Sequence, residues 1–252
     1  MKILALDSSG LVASVAVLED DQMLAEYTVN YKKTHSQTLL PMLDELVKML
    51  DLDLQTMDGI AVSGGPGSFT GLRIGSATAK GLGLALHKPL IHVPTADALA
   101  YNLYGAKGLI CPIMDARRNQ VYTGLYRFEK EFEVIEEQMA IPVETLIAKL
   151  NDLKMEVVFL GDGVPVYREQ LLAGLKVAVT FAPAHMNRQR AGAVGTLGMK
   201  YYQQGKIETA VEHKPDYLRV SQAEREREER IRAKECQKGV DEYVSASRGN
   251  GK

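Results

Sequence analysis

Ile3-Leu4-Ala5-Leu6-Asp7-Ser8-Ser9-Gly10 opens the chain, and Leu109-Ile110-Cys111-Pro112-Ile113-Met114-Asp115 stands near its middle. The likeness of these two stretches decides the fold. Each is a short apolar run closed by an aspartate and a turn, the pattern of a buried strand. Outward from the first, residues 12–18 and 23–29 are rich in β-branched and apolar side chains and flank the turn Glu19-Asp20-Asp21, which predicts a three-strand meander. The period then changes. Leu39, Leu40, Leu43, Leu46, Val47 and Leu50 follow helical spacing, with Thr34 or Ser36 as the N-cap and Pro41 in the early part. Strands over 59–63 and 90–93 alternate with a helix over 71–86 and a helix capped by Thr95 that runs to about Leu103.

Outward from the second stretch the order repeats. A turn at Arg117-Arg118-Asn119 leads to strands over 121–128 and 133–141 and a helix over 142–150. A strand over 157–160, a helix over 163–172, a strand over 177–181 and a helix over 193–204 follow. Asp7 and Asp115 stand in matching places, although residue identity between the halves is negligible. Two βββαβα units are the plan of the ribonuclease-H-like duplication found in actin, sugar kinases and Hsp70. The expected class is therefore α/β, an actin-like ATPase (ASKHA) fold with two lobes. The first lobe is expected over 1–104 and the second over 105–189, with a helix over 190–206 packing back on the first. A C-terminal segment over 207–221 and a charged tail over 222–252 complete the chain. Residues 224–235 of that tail hold five acids and five bases around Ile231, which reads as a solvated helix.

The chain has 252 residues, 30 basic and 32 acidic, with 46% apolar and 25% charged, the proportions of a globular protein. A net charge of −2 argues against a DNA-coating protein. Cys111 and Cys236 form no C-x-x-C pair, so a disulfide scaffold and a zinc ribbon are excluded. Asp7 interrupts the first apolar run too early for a signal-peptide core, and no run approaches the roughly 18 apolar residues of a membrane span. A cytoplasmic protein with no membrane partner is expected.

The turn Asp7-Ser8-Ser9-Gly10 has the composition of a phosphate-holding loop in which the aspartate serves Mg²⁺ through water. It equally suits a plain strand-end turn closed by an Asx bond. Gly161-Asp162-Gly163 also follows a strand and opens a helix, whereas Asp115 is followed by Ala116-Arg117-Arg118 with no glycine. Asp7, Ser8, Ser9, Asp115, Gly161, Asp162 and Gly163 are thus the candidates for a residual nucleotide site. Metal chemistry has less support. His35, His87, His92, His185 and His213 show no i,i+4 pair, and no metal site is expected. Ser63-Gly64-Gly65-Pro66-Gly67-Ser68 lacks the lysine of a P-loop, and no G-x-S-x-G elbow occurs.

One feature is physically costly. Gly67, Gly71, Gly75, Ala79 and Gly83 recur every four residues, and each glycine inside a helix costs up to about 1 kcal/mol relative to alanine. Close backbone approach explains the stripe, either by the protein's own sheet or neighbouring helix or by a helix of a partner. Met42 and Met49 on the preceding helix suit an adaptable contact surface.

Gly65-Pro66-Gly67-Ser68-Phe69-Thr70-Gly71-Leu72-Arg73-Ile74-Gly75 resembles the signature of the bacterial TsaB (YeaZ) family. So do Ile3 to Ser9, His35-Ser36 followed by Leu39-Leu40-Pro41, the stretch from Met114 to Tyr122, and Pro215-Asp216-Tyr217-Leu218-Arg219. The resemblance implies a role in forming N6-threonylcarbamoyladenosine in ANN-decoding tRNAs. It implies no catalytic residue in this chain but a complex with TsaD, a paralogue that carries the transfer chemistry and a metal, and with the ATPase TsaE. ATP and Mg²⁺ would be used by the complex, and tRNA would be met through it. The metal-bearing H-x-x-x-H of TsaD is broken here, because His35 is followed by Leu39. The resemblance further implies a TsaD-binding face on two helices of the first lobe, which serves a homodimer when TsaD is absent. Its candidate residues are Leu39, Met42, Leu43, Leu46, Gly71, Ile74, Gly75, Thr78, Ala79 and Leu82. The alternatives are an actin-like ATPase or small-molecule kinase acting alone, and a metallopeptidase, for which no ligand pair is present.

Overall fold

In the computed structural model, residues 1–31 and 34–219 are described. The first sheet holds β1 (Lys2–Asp7), β2 (Ala13–Glu19), β3 (Gln22–Val29), β4 (Gly59–Gly65) and β5 (Leu90–Pro94) in the order β3-β2-β1-β4-β5. The second holds β6 (Leu109–Asp115), β7 (Gln120–Phe128), β8 (Phe132–Pro142), β9 (Val157–Leu160) and β10 (Val179–Phe181) in the order β10-β9-β6-β7-β8. Read from the other edge, the second sheet repeats the first strand for strand. In each, the first strand pairs antiparallel with the second and parallel with the fourth. This is the duplicated α/β actin-like fold that the two aspartate-ended stretches imply.

The strands form where apolar runs can be buried on both faces. Ile3 to Leu6 are wholly inaccessible, as expected of central strands flanked by helices. On one face of the first sheet lie α1 (His35–Met49) and α2 (Phe69–Leu86), burying Leu39, Met42, Leu43, Leu46 and Ala79 against Leu4, Leu6, Val15, Ile60 and Val62. On the second sheet, α4 (Val143–Leu153) and α5 (Val164–Gly174) cover Leu109, Cys111, Ile113 and Phe159.

The remaining helices join the halves. α6 (Ala191–Gln203) follows the second sheet in the chain but packs on the first, with Ala191, Val194, Leu197 and Met199 against Ile3, Ala5, Ala16, Leu18, Ala61 and Ile91. A Cβ at Gly195 would stand 2.2 Å from Leu18 Cδ1, and one at Gly198 would stand 2.6 Å from Ala61 Cβ, so these glycines set how closely α6 lies. α3 (Thr95–Tyr101) follows the first sheet yet places Ala96, Leu99 and Ala100 against Ile110, Met114, Tyr126 and Leu160 of the second. Asp97 of α3 accepts from Tyr126 Oη at 2.8 Å and from Tyr201 Oη of α6 at 3.1 Å.

Two local expectations are corrected. Thr95 is the first residue of α3 and Pro94 its cap; the Thr95 hydroxyl instead accepts from the Gly65 amide at 3.1 Å and pairs with Ser63 Oγ at 2.9 Å. Gly67 precedes α2, whose cap is Ser68, with the Ser68 side chain accepting from the Gly71 amide. The tail reading over 222–252 lies outside the described residues.

Candidate functional site

The segments singled out by the sequence converge at the end of β1 and β4. Asp7 closes β1 and is 1% exposed, and its Oδ1 accepts from the Ser9 amide at 2.8 Å and from Ser9 Oγ at 2.7 Å. That is an Asx turn made by the loop on itself. Burial pushes the Asp7 carboxyl above its ordinary range, against the opposing hydrogen bonds from Ser9 and Ser63. His35, at the start of α1, donates from Nε2 to the Gly10 carbonyl at 2.8 Å. It acts as a contact that ties α1 to the turn, while Leu39 one helical turn on is in the core.

The glycine stripe seats α2 on this same turn. A Cβ at Gly67 would lie 2.2 Å from the Ser9 carbonyl oxygen, one at Gly71 2.0 Å from that of Ser8, and one at Gly75 2.4 Å from Ser8 Oγ. Ser8 Oγ donates to the Gly71 carbonyl at 2.8 Å, and the Ser68 amide donates to Ser9 O at 2.7 Å. The Ser8 and Ser9 carbonyls and the Ser8 hydroxyl are thus taken up by the entrance of α2. The end of β4 meets Asp216 in the same way. Gly65, at φ +120°, approaches the Asp216 carbonyl so closely that a Cβ would stand 2.3 Å from it. Tyr217 packs against Phe69 with the rings tilted at 38° and their centroids 4.7 Å apart.

In the second half the structure brings Asp115 and Gly161-Asp162-Gly163 together. The Asp115 amide donates to Asp162 Oδ1 at 3.2 Å, and the Gly163 amide donates to the Ile113 carbonyl at 3.0 Å. Gly161 has φ +106°, and a Cβ there would stand 2.2 Å from Ile113 O, so glycine is required. Burial raises the Asp162 carboxyl, opposed by the Asp115 amide and the Arg188 charge. Asp115 Oδ1 accepts from Tyr167 Oη at 3.0 Å and from the Arg117 amide at 2.8 Å. Gln189, 1% exposed, spans the two turns: its side chain lies over Gly10 and its Nε2 stands 3.5 Å from Met114 Sδ.

The proposed partner face needs correction. Leu39, Met42, Leu43, Leu46, Gly71, Gly75 and Ala79 are all buried within this chain, because four-residue spacing aligns them on the face that meets the chain's own sheet and turn. Ile74, Thr78 and Leu82 are partly exposed. The outward face of α2 instead carries Ala77, Gly81, Leu84 and Ala85, and α1 presents Leu40 and Met49. A Cβ at Gly81 would meet nothing within 4 Å. The sequence contained this second small-residue row, at Ala77, Gly81 and Ala85, but the denser glycine row obscured it.

Sequence reasoning also missed a group that the fold assembles next to β5, where His92, Glu208 and His213 lie together. No helix among the described residues is long and apolar enough to cross a membrane.

Comparison with known proteins follows the same lines. The model of the family "TsaD: tRNA N6-adenosine threonylcarbamoyltransferase" matches residues 22–227. The tRNA threonylcarbamoyladenosine biosynthesis protein TsaB of Bacillus subtilis is 34% identical over 89% of this chain and 96% of its own length. That of Escherichia coli is 28% identical over 87% of this chain and 95% of its own. Among solved structures, YeaZ from Pseudomonas aeruginosa superposes with a TM-score of 0.75 at 28% identity, covering 86% of this chain and 99% of that one. With these relatives spanning both sheets and the turns between them, the chain belongs to the TsaB (YeaZ) family of tRNA threonylcarbamoyladenosine biosynthesis proteins.

Proposed function

We propose that this chain is a non-catalytic subunit that binds and activates a TsaD-type transferase in the N6-threonylcarbamoyladenosine modification of ANN-decoding tRNAs. The observation that carries this reading is the outward α1–α2 face. Ala77, Gly81 and Ala85 form an exposed row of small residues beside Leu84, one turn after the exposed Arg73, with Leu40 and Met49 on the neighbouring helix. A helix of a partner could approach closely along such a row, and a second copy of this chain could use it when the partner is absent. In this reading ATP and Mg²⁺ serve the complex, with TsaE as its ATPase, and tRNA is met through the assembly in the cytoplasm. The enclosed Asp7 turn supports the absence of chemistry in this subunit. The solitary ATPase or kinase reading would need Asp7 and Asp115, whose Oδ1 atoms already accept hydrogen bonds from Ser9 and from Tyr167 and the Arg117 amide.

Gly81→Leu tests the proposal. Replacing an exposed helical glycine raises helix propensity by up to about 1 kcal/mol, and a Cβ at this exposed position meets nothing within 4 Å. The variant should therefore fold at least as well as the wild type, yet bind TsaD at least tenfold more weakly in a titration and lower threonylcarbamoyl transfer in parallel. Unchanged affinity and transfer would remove the interface assignment. Gly75→Leu cannot serve, because it collides with Ser8 inside the chain.

A further inference from the structure

We infer that His92, Glu208 and His213 form a binding site for a divalent transition metal, Zn²⁺ foremost, which clamps the C-terminal segment to the edge strand β5. Each of the three offers a ligand atom, and these atoms all lie within 4.8 Å of one another. Ligands on a tetrahedral zinc at about 2.0–2.1 Å stand roughly 3.4 Å apart, so closure needs only small side-chain rotations. Two imidazoles and a carboxylate select zinc and its neighbours over Mg²⁺ or Ca²⁺, which prefer all-oxygen sets.

The backbone holds the ligands in place from several sides. Glu208 exchanges two backbone hydrogen bonds with Leu90, at 2.9 and 3.0 Å, two residues before His92 in β5. The His213 amide donates to the Thr209 carbonyl at 3.1 Å, and the Asp216 amide donates to the Gly64 carbonyl at 2.7 Å. The His92 ring rests directly over Gly64, where a Cβ would come within 2.1 Å of it. Behind His92, Asp216 Oδ2 stands 3.1 Å from Nε2, the carboxylate-on-imidazole arrangement that orients a metal-binding histidine.

Two further observations point to a ligand. His213 is fully buried, and its Nε2 has no hydrogen-bond partner among the described residues. An unpaired buried ring nitrogen is destabilising unless something satisfies it. The His92 and His213 rings lie tilted to each other with centroids 5.8 Å apart, and Glu208 Oε1 stands 2.5 Å from His213 Nδ1. Lys80 is near enough for its charge to act on His213, in opposition to that of Glu208.

The test uses the full chain without a histidine tag, stripped with chelator and titrated calorimetrically with Zn²⁺ alone. Glu208→Gln keeps the backbone pairing with Leu90 and removes one ligand. His92→Gln removes another; the glutamine at 208 keeps an amide oxygen that can accept from His213 Nδ1 in place of the carboxylate. The expected result is one Zn²⁺ per chain, a thermal midpoint that rises with Zn²⁺, and a loss of affinity of at least tenfold in both variants, whose circular dichroism matches the wild type. Co²⁺ in place of Zn²⁺ should give visible d–d absorption that both variants lose. Absence of one-to-one uptake by the wild type would overturn the site, and so would uptake undiminished in Glu208→Gln and His92→Gln.

Discussion

Ser8 decides where glycine is obligatory in α2. Its carbonyl oxygen and its hydroxyl occupy the places that side chains at Gly71 and Gly75 would take. A methyl at Gly71 would be 2.0 Å from a backbone oxygen, which cannot rotate away, so the turn or the helix must shift. Overpacking of this kind costs about 1–3 kcal/mol. The same substitution at Gly81 meets open space and gains up to about 1 kcal/mol of helix propensity. Urea unfolding should therefore show Gly71→Ala destabilised and Gly81→Ala slightly stabilised. Equal shifts in the two would mean that the stripe does not seat the helix on the turn. Chemistry alone cannot separate these two positions, both glycines of one helix; only the neighbour does.

The two helices that change sides, α3 and α6, meet at Asp97, and this junction has a signature in pH. Burial raises the Asp97 carboxyl, although hydrogen bonds from Tyr126 and Tyr201 pull it down. A carboxyl raised on folding stabilises most fully below its unfolded value of 3.8 and loses that contribution as pH rises through the folded value. Asp97→Asn keeps an acceptor for Tyr126 but cannot ionise. Relative to the wild type, the variant should therefore gain stability as pH rises from the acid range to neutrality, with Asp7 and Asp162 contributing equally to both curves. Parallel curves would refute the assignment. The elements themselves were largely legible in the sequence. Runs such as Ile3 to Leu6 carry one message, because both faces of a central strand are apolar. Four-residue spacing identified which side chains of α2 share a face, but not that this face points inward. Asp7 and Asp115 stood out because each ends an apolar run. His92, Glu208 and His213 did not, because more than a hundred residues separate the first from the others and a single bridge between Leu90 and Glu208 unites them.

Met1–Leu218 pack as one compact unit, and its halves are joined by more than the chain between them. α3 lies on the second sheet, α6 on the first, and Gln189 fills the gap between the turn at Gly10 and the end of β6. In an open α/β sheet a ligand binds beyond the carboxyl ends of the strands, and a duplicated fold of this kind would hold nucleotide between the two aspartate turns. Here several groups of those turns are hydrogen-bonded within the chain. Ser8 and Ser9 are taken up by the entrance of α2, Asp7 by Ser9, and Asp115 by Tyr167 and the amide of Arg117. A triphosphate would need those hydrogen bonds broken and a buried carboxylate, already reluctant to ionise, brought out to serve Mg²⁺. The isolated protein should accordingly show no rise in thermal midpoint with millimolar Mg-ATP and no phosphate release, while a mixture with TsaD and TsaE consumes ATP. A midpoint that rises with Mg-ATP and ceases to do so in Asp7→Ala would show instead that the α2 entrance yields to nucleotide. The subunit would then bind ATP in its own right.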